Sequence, residues 1–290
     1  MSRDEPLRKL LKRKGILVAP GCYDALTAKL IEKAGFDALY MTGAGVSMST
    51  LGIADVGLTT FSEMLLRASQ IAQAVNIPLI ADADTGYGNA LNVYRTVKEY
   101  ERVGVSAIQL EDQEIPKKCG HEIGRRLVPV EEMKGKIHAA LDARRSSQFL
   151  IIARTDARTG YGLEEAISRA KAYEEAGADI LFVESPQTIE EMREINRAVT
   201  LPTLANMVEG GRTPLLSAKE LEDLGYKVVI FPNALTRVMA KAAIDLLQEL
   251  KAKGTTREIL NRMLSHRELF DLFEFDRWVD LEAKYLKRPV

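Results

Sequence analysis

Ile80-Ala81-Asp82-Ala83-Asp84-Thr85-Gly86 is a short apolar run that ends in two carboxylates and a glycine. A strand entering a core has no structural use for acids at its C-terminal end. Two residues apart, Asp82 and Asp84 share one face of a strand. Like charges that close require a cation. A second run, Ile108-Gln109-Leu110-Glu111-Asp112-Gln113, ends the same way and leads into Pro116-Lys117-Lys118-Cys119-Gly120-His121. Carboxylates gathered at strand ends are how a divalent-metal site looks in sequence, and they mark this chain as an enzyme.

Working outward, apolar β-rich runs recur at 16–19, 38–41, 79–83, 107–110, 150–153, 180–183, 203–205 and 228–231. Between them lie stretches with apolar residues at three- and four-residue spacing: 24–34, 61–74, 90–103, 130–143, 163–176, 189–198, 217–224 and 235–253. That spacing predicts helices with one buried stripe. Ala34-Gly35-Phe36-Asp37-Ala38 recurs as Ala176-Gly177-Ala178-Asp179-Ile180, with Gly104 and Gly225 in equivalent places before strands. Strict alternation of strand and helix predicts an α/β fold, a single (β/α)8 TIM barrel. A doubly wound sheet is the runner-up, but no Gly-x-Gly-x-x-Gly follows the first strand.

Beyond Gly254, helical patterns at 257–264 and 268–284 carry Phe270, Phe273, Phe275 and Trp278. A closed barrel does not need them. The sequence therefore reads as one domain over 1–290, with 255–290 as a helical oligomerisation extension. The 290 residues are 46% hydrophobic and 28% charged with net charge −1, an ordinary globular balance. Near-neutrality argues against nucleic-acid binding. No apolar stretch approaches the roughly 18 residues that span a bilayer, and no secretory core opens the chain. The basic segment 8–14 reads as a solvated helix face. With only Cys22 and Cys119, a disulfide scaffold is excluded, and a cytoplasmic location is expected.

In barrels of this kind the active site lies at the C-terminal strand ends. Those ends carry Tyr40 and Thr42-Gly43-Ala44, then Asp82 and Asp84, Glu111 and Asp112, Arg154-Thr155-Asp156, Glu184 and Asn206, with Asp55 in the loop after the second strand and Arg237 after the eighth. Oxygen ligands without a histidine pair suit Mg²⁺ or Mn²⁺ rather than zinc. Asp84, with Asp82, is expected to coordinate most closely, while Asp55 and Glu111 hold the metal's waters. Asp112 and Asp156 read as salt-bridge or helix-cap residues. Arg154 presents a fork that fits a substrate carboxylate, with Glu184 or Asp156 as an internal partner. Two lysines and His121 make the Cys119 thiol reactive, and Gly120 lets backbone approach a ligand. Pro116, Gly120 and Gly124 mark a long lid-like loop. Tyr40 shares a face with Thr42 and is a candidate for proton transfer. Cys22, His138 and His266 read as structural.

At Lys117-Lys118-Cys119-Gly120-His121 the sequence resembles the isocitrate lyase and phosphoenolpyruvate mutase superfamily. The resemblance continues through Thr42-Gly43, Asp82-Ala83-Asp84-Thr85-Gly86-Tyr87-Gly88, Leu110-Glu111-Asp112-Gln113, Ala153-Arg154-Thr155-Asp156-Ala157 and Asn206-Met207-Val208-Glu209-Gly210-Gly211, in order over nearly the whole chain. It implies a Mg²⁺-dependent barrel and a homotetramer whose subunits exchange a C-terminal helix. It also implies Cys119 as the acid that protonates a departing carbanion, supported by Lys117 and His121, and Tyr40 as a candidate base. Thr42, Gly43, Ala44, Arg154, Glu184, Asn206, Arg237 and Arg267 would bind substrate.

The lysine–lysine–cysteine–glycine–histidine loop points to members that cleave a carbon–carbon bond, such as the methylisocitrate and dimethylmalate lyases. Two positions depart from the methylisocitrate lyases: Glu122 stands where they carry arginine, and Val208 where they usually carry threonine. Met207-Val208-Glu209-Gly210-Gly211 and Gly124-Arg125-Arg126-Leu127 look more like the dimethylmalate-lyase and carboxyphosphonoenolpyruvate-mutase branch. The expected activity is cleavage of a 2-hydroxy di- or tricarboxylate, a small-molecule carboxylate substrate, to pyruvate or glyoxylate. Phosphorus–carbon rearrangement stays open as the alternative.

Overall fold

The computed structural model describes residues 6–118, 120 and 124–286. Eight strands run parallel: β1 (Leu17–Cys22), β2 (Leu39–Met41), β3 (Leu79–Asp82), β4 (Ala107–Glu111), β5 (Leu150–Thr155), β6 (Ile180–Val183), β7 (Leu204–Asn206) and β8 (Val228–Phe231). Neighbours follow the order β6-β5-β4-β3-β2-β1-β8-β7. The remaining gap, between β6 and β7, is bridged where Leu181 N–H donates to the Pro202 carbonyl at 3.0 Å. This nearly closed ring with intervening helices is the expected (β/α)8 barrel.

Alternation along the strands builds two apolar layers. Ile80, Ala107, Leu150, Ile152, Ile180, Phe182, Leu204 and Ile230 fill the barrel interior. Leu39, Met41, Ala81, Ile108, Leu110, Ile151 and Leu181 face outward onto helices 61–74, 90–102, 130–143 and 163–175. Thr60 and Glu63 form a capping box at the head of one of these helices, which fixes its start.

Some local predictions need correction. Leu7–Leu10 is a helix whose Leu7 and Leu10 join the inner barrel core, so the N-terminal segment is more than a solvated face. Helix Gly43–Leu51 was not expected, because Gly43 and Gly45 are poor helix formers. Thr42 compensates by accepting from the Gly45 N–H at 3.3 Å. The pattern at 268–284 is two helices, His266–Leu272 and Phe275–Tyr285, broken at Glu274 in a left-handed conformation.

The chain divides into two compact units between Thr236 and Arg237. The first contains all eight strands. The second holds the end of helix Ala234–Lys253, a 3₁₀ turn at Arg257–Arg262 and the two last helices, where Phe270 packs edge-on against Phe275 at 5.1 Å. Among the described residues no helix is long and apolar enough to cross a membrane.

Candidate active site

Strand parity decides which side chains enter the barrel. Ile80 is inside and Ala81 outside, so Asp82 is inside. The same count brings Tyr40 and Thr42, Gln109 and Glu111, Arg154, Glu184 and Asn206 inward at one edge of the ring. All of these but Gln109, together with Ala44, Asp55, Lys117, Lys118, Gly120, Val208, Pro232 and Asn233, line one cleft open to solvent.

At the β3 end, Asp82 is committed to the protein. Its Oδ2 accepts from Gly43 N–H at 3.2 Å, and its Oδ1 from Asp84 N–H at 3.0 Å. A side chain at Gly43 would place its Cβ 2.6 Å from that Oδ2, so glycine is required there. Asp84 adopts a left-handed backbone (φ 48°), a conformation that costs a non-glycine residue of order 1–3 kcal/mol. Lys117 Nζ lies 2.7 Å from Asp84 Oδ1 and 2.8 Å from Asp55. Burial pushes the Asp84 carboxyl up to about 6, with Lys117 pulling it back and Asp82 and Asp55 pushing further. Burial opposes the Lys117 charge, but Asp84, Glu111, Asp55 and Asp82 outweigh it and raise its pKa.

On the opposite side, Arg154 donates to both oxygens of Asp156 at 3.0 and 2.9 Å, and lies 3.2 Å from Glu184 and 3.5 Å from Glu111. Its guanidinium stacks over Phe182 at 5.0 Å. Glu184 also accepts from Asn206 Nδ2 at 3.0 Å and from Ser185 N–H at 2.7 Å. Gly120 packs against this cluster so closely that a Cβ there would sit 2.2 Å from the arginine. Asp156 and Asp112 are ion-paired as expected, Asp156 with Arg154 and Arg125, Asp112 with Arg169 at 3.1 Å.

Gln109 was missed by the sequence reading. Buried between β3 and β5, it accepts from the Tyr40 hydroxyl at 3.0 Å and points its amide at Asp82, 3.4 Å away. The available signal was a glutamine on the inward parity of an otherwise apolar strand. Burial and the Asp82 charge hold the Tyr40 phenol well above its usual range, so in this state it is a donor.

Cys119 and His121 lie outside the described residues, as does Glu122. Arg237 and Arg267 belong to the second unit, where Arg267 pairs with Asp271 and Asp276. Cys22 is buried in the outer core, and burial raises its thiol far above the reactive range. His138 is exposed on its helix, and His266 packs on Phe270.

The site fits a hard divalent cation. Asp55, Asp82 and Glu111 line the cleft with Asp84 behind them on the Lys117 ammonium, and among the described residues Glu111 Oε1 is buried without a hydrogen bond. Among the described residues no three carboxylate, histidine or cysteine side chains converge as a ready-made ligand shell. The carboxylates surround the Lys117 ammonium instead.

Fold and site together define an α/β-barrel enzyme with carboxylates and an arginine at the strand ends. The sequence model of the phosphoenolpyruvate phosphomutase family matches residues 7–251. The chain is 54% identical to a 2,3-dimethylmalate lyase of Eubacterium barkeri, over 98% of this chain and 99% of that one. It is 46% identical to a 2-methylisocitrate lyase of Aeropyrum pernix (97% and 91% covered). A chloroplastic carboxyvinyl-carboxyphosphonate phosphorylmutase of Arabidopsis thaliana is 44% identical (96% and 83% covered). Among solved structures, a 2,3-dimethylmalate lyase superposes with a TM-score of 0.90 at 39% identity, covering 96% of this chain and 93% of that one. A phosphonopyruvate hydrolase complexed with oxalate and Mg²⁺ gives 0.89 at 34% identity (99% and 100% covered). The chain belongs to the phosphoenolpyruvate mutase/isocitrate lyase superfamily.

Proposed function

We propose that this chain is a Mg²⁺-dependent lyase that cleaves the C2–C3 bond of a 2-hydroxy di- or tricarboxylate of the 2,3-dimethylmalate or 2-methylisocitrate type. The products are pyruvate or glyoxylate and a second carboxylate. The observation that carries this reading is a cluster of four carboxylates around one ammonium, beside Arg154 at the edge of one cleft. Similarity to named lyases over the full chain supports it.

Asp84 would hold the cation directly, since both Asp82 oxygens are already hydrogen-bonded; Asp82 supports it from behind, and Asp55 and Glu111 hold its waters. When bound, Mg²⁺, or Mn²⁺ in its place, supplies Lewis acidity that acidifies the substrate hydroxyl. The Arg154 Nε/Nη2 fork is held by Asp156, so a substrate carboxylate would meet only the rest of the guanidinium, which Glu184 and Asn206 help to orient. Thr42, Ala44 and Gly120 line the same cleft and Gly43 borders it, while Arg237 and Arg267 are proposed as substrate residues from the family resemblance alone. Tyr40 accepts the hydroxyl proton. That role requires the positive charge beside Asp82 to bring its phenol down. The C2–C3 electron pair leaves with the second fragment, and Cys119 protonates the resulting carbanion, with Lys117 and His121 as electrostatic support. The exposed Trp278 (60%) and Phe275 (43%) support self-association through residues 255–290; a homotetramer in the cytoplasm is proposed from the family resemblance.

The test is release of 2-keto acid from 2,3-dimethylmalate, 2-methylisocitrate, 2-methylmalate and oxaloacetate, with Mg²⁺ and with EDTA. Keto acid from one dimethyl- or methyl-substituted acid, abolished by EDTA, is expected. The 44% identical phosphorylmutase supports a second reading, phosphorus–carbon rearrangement. A silent panel together with a shifting ³¹P signal from a phosphonopyruvate-type substrate establishes that reading instead.

A further inference from the structure

Lys117 stands in an unusual place for a lysine. Its side chain is 6% exposed, and its ammonium lies between Asp84 and Asp55 at 2.7 and 2.8 Å. At 2.7 Å the ammonium neutralises the charge on Asp84 Oδ1. An ammonium compensates a carboxylate as a point charge without filling its lone pairs.

The surroundings explain why the charge is there. Asp82, the third acid, spends both oxygens on backbone N–H groups of Gly43 and Asp84, so it needs no cation of its own. Asp84 and Asp55 have no equivalent donors and face each other across the lysine. Both Lys117 and Asp55 sit on loops rather than strands, and the loops touch: a Cβ at Gly57 would be 3.0 Å from the Lys117 nitrogen.

We infer that the Lys117 ammonium occupies the seat of the divalent cation, as an internal counter-ion that the incoming metal must displace from Asp84 and Asp55. The inference rests on the proposal above that these carboxylates bind a metal. Mg²⁺ stands about 2.0–2.1 Å from its oxygens. A cation that close to Asp84 and an ammonium 2.7 Å from the same oxygen would be two like charges a few ångströms apart, and they repel. Competition keeps the acids neutralised when metal is absent and lowers metal affinity in return. A lysine that braced the acids without blocking the seat would also weaken binding by repulsion, so the size of the gain and competition by a free amine carry the distinction.

The experiment is a Mn²⁺ titration of metal-free, substrate-free protein, read by the EPR signal of free Mn²⁺. Wild type, Lys117→Met and Asp84→Asn are compared. The expected result is loss of the site in Asp84→Asn and binding about tenfold or more tighter in Lys117→Met. If Lys117→Met does not fold, Lys117→Gln keeps a neutral donor between the acids and serves in its place. Added butylammonium is expected to weaken Mn²⁺ binding in Lys117→Ala and to leave wild type unchanged. Wild-type binding with Lys117 variants equal or weaker overturns the inference alone. Absence of any Asp84-dependent site in wild type overturns the metal-site reading, and this inference with it.

Discussion

Replacing Arg154 by methionine removes the charge shared by three acids while keeping most of the side chain's bulk. Asp156, Glu184 and Glu111 lie 2.9, 3.2 and 3.5 Å from the guanidinium, and all four residues are at most 8% exposed. Removing one partner of a buried ion pair costs about 3–5 kcal/mol, because the other charge is left uncompensated. Asp156 keeps Arg125 as a second partner, which bounds the loss. At roughly 2–4 °C per kcal/mol for a domain of this size, the melting temperature should fall by about 6–20 °C. Arg154→Lys keeps the charge but not the fork, so it should fall between variant and wild type.

The pH dependence has a definite sign. Burial raises the Asp156 carboxyl, but Arg154 and Arg125 outweigh it and hold the group below its usual value. Its contribution is therefore present above the unfolded pKa and lost only as pH falls through the folded one. Burial raises Glu111, with Arg154 as the main force pulling it back. Without the arginine Glu111 rises further, and a raised carboxyl loses stability as pH increases. The deficit of Arg154→Met should thus grow from pH 5 to pH 8, as measured by differential scanning fluorimetry. A variant that melts within about 2 °C of wild type at pH 8 would refute the reasoning.

Three further outcomes are expected. Tyr40→Phe should lower kcat by about 10²–10⁴ with Mn²⁺ affinity retained, as steady-state kinetics beside a metal titration would show; near-normal turnover removes it as the proton acceptor. Because the Asp84 carboxyl is raised to about 6, cation affinity should be flat well above that pH and fall about tenfold per unit below it, measured by isothermal calorimetry. Cys22 is buried with a raised thiol, so Cys119→Ser protein should show no thiol reactive to Ellman's reagent until denaturant is added.

The barrel was legible because parallel strands buried on both faces read as apolar runs, and each inward polar side chain interrupts that run at a fixed parity. Asp82, Glu111, Arg154, Glu184 and Asn206 were all visible in this way, and the cleft brings them together. Gln109 obeys the same parity but carries no charge to draw attention. Helix Gly43–Leu51 was hidden by its glycines, which are there for close approach to Asp82 rather than for helix formation. The break at Glu274 was illegible because a left-handed glutamate has no sequence signature. The insertion of Lys117 between Asp84 and Asp55 depends on loops meeting across 62 residues of sequence, which no local pattern encodes.

The central claim is that this site breaks a carbon–carbon bond and protonates the carbon left behind. The most direct measurement is turnover of 2,3-dimethylmalate with Mg²⁺ in D₂O, followed by mass spectrometry of the products. Pyruvate together with propionate carrying one deuterium at C2, both absent when EDTA is present, is the predicted result. Propionate without deuterium, or no keto acid from either 2,3-dimethylmalate or 2-methylisocitrate, would contradict the account.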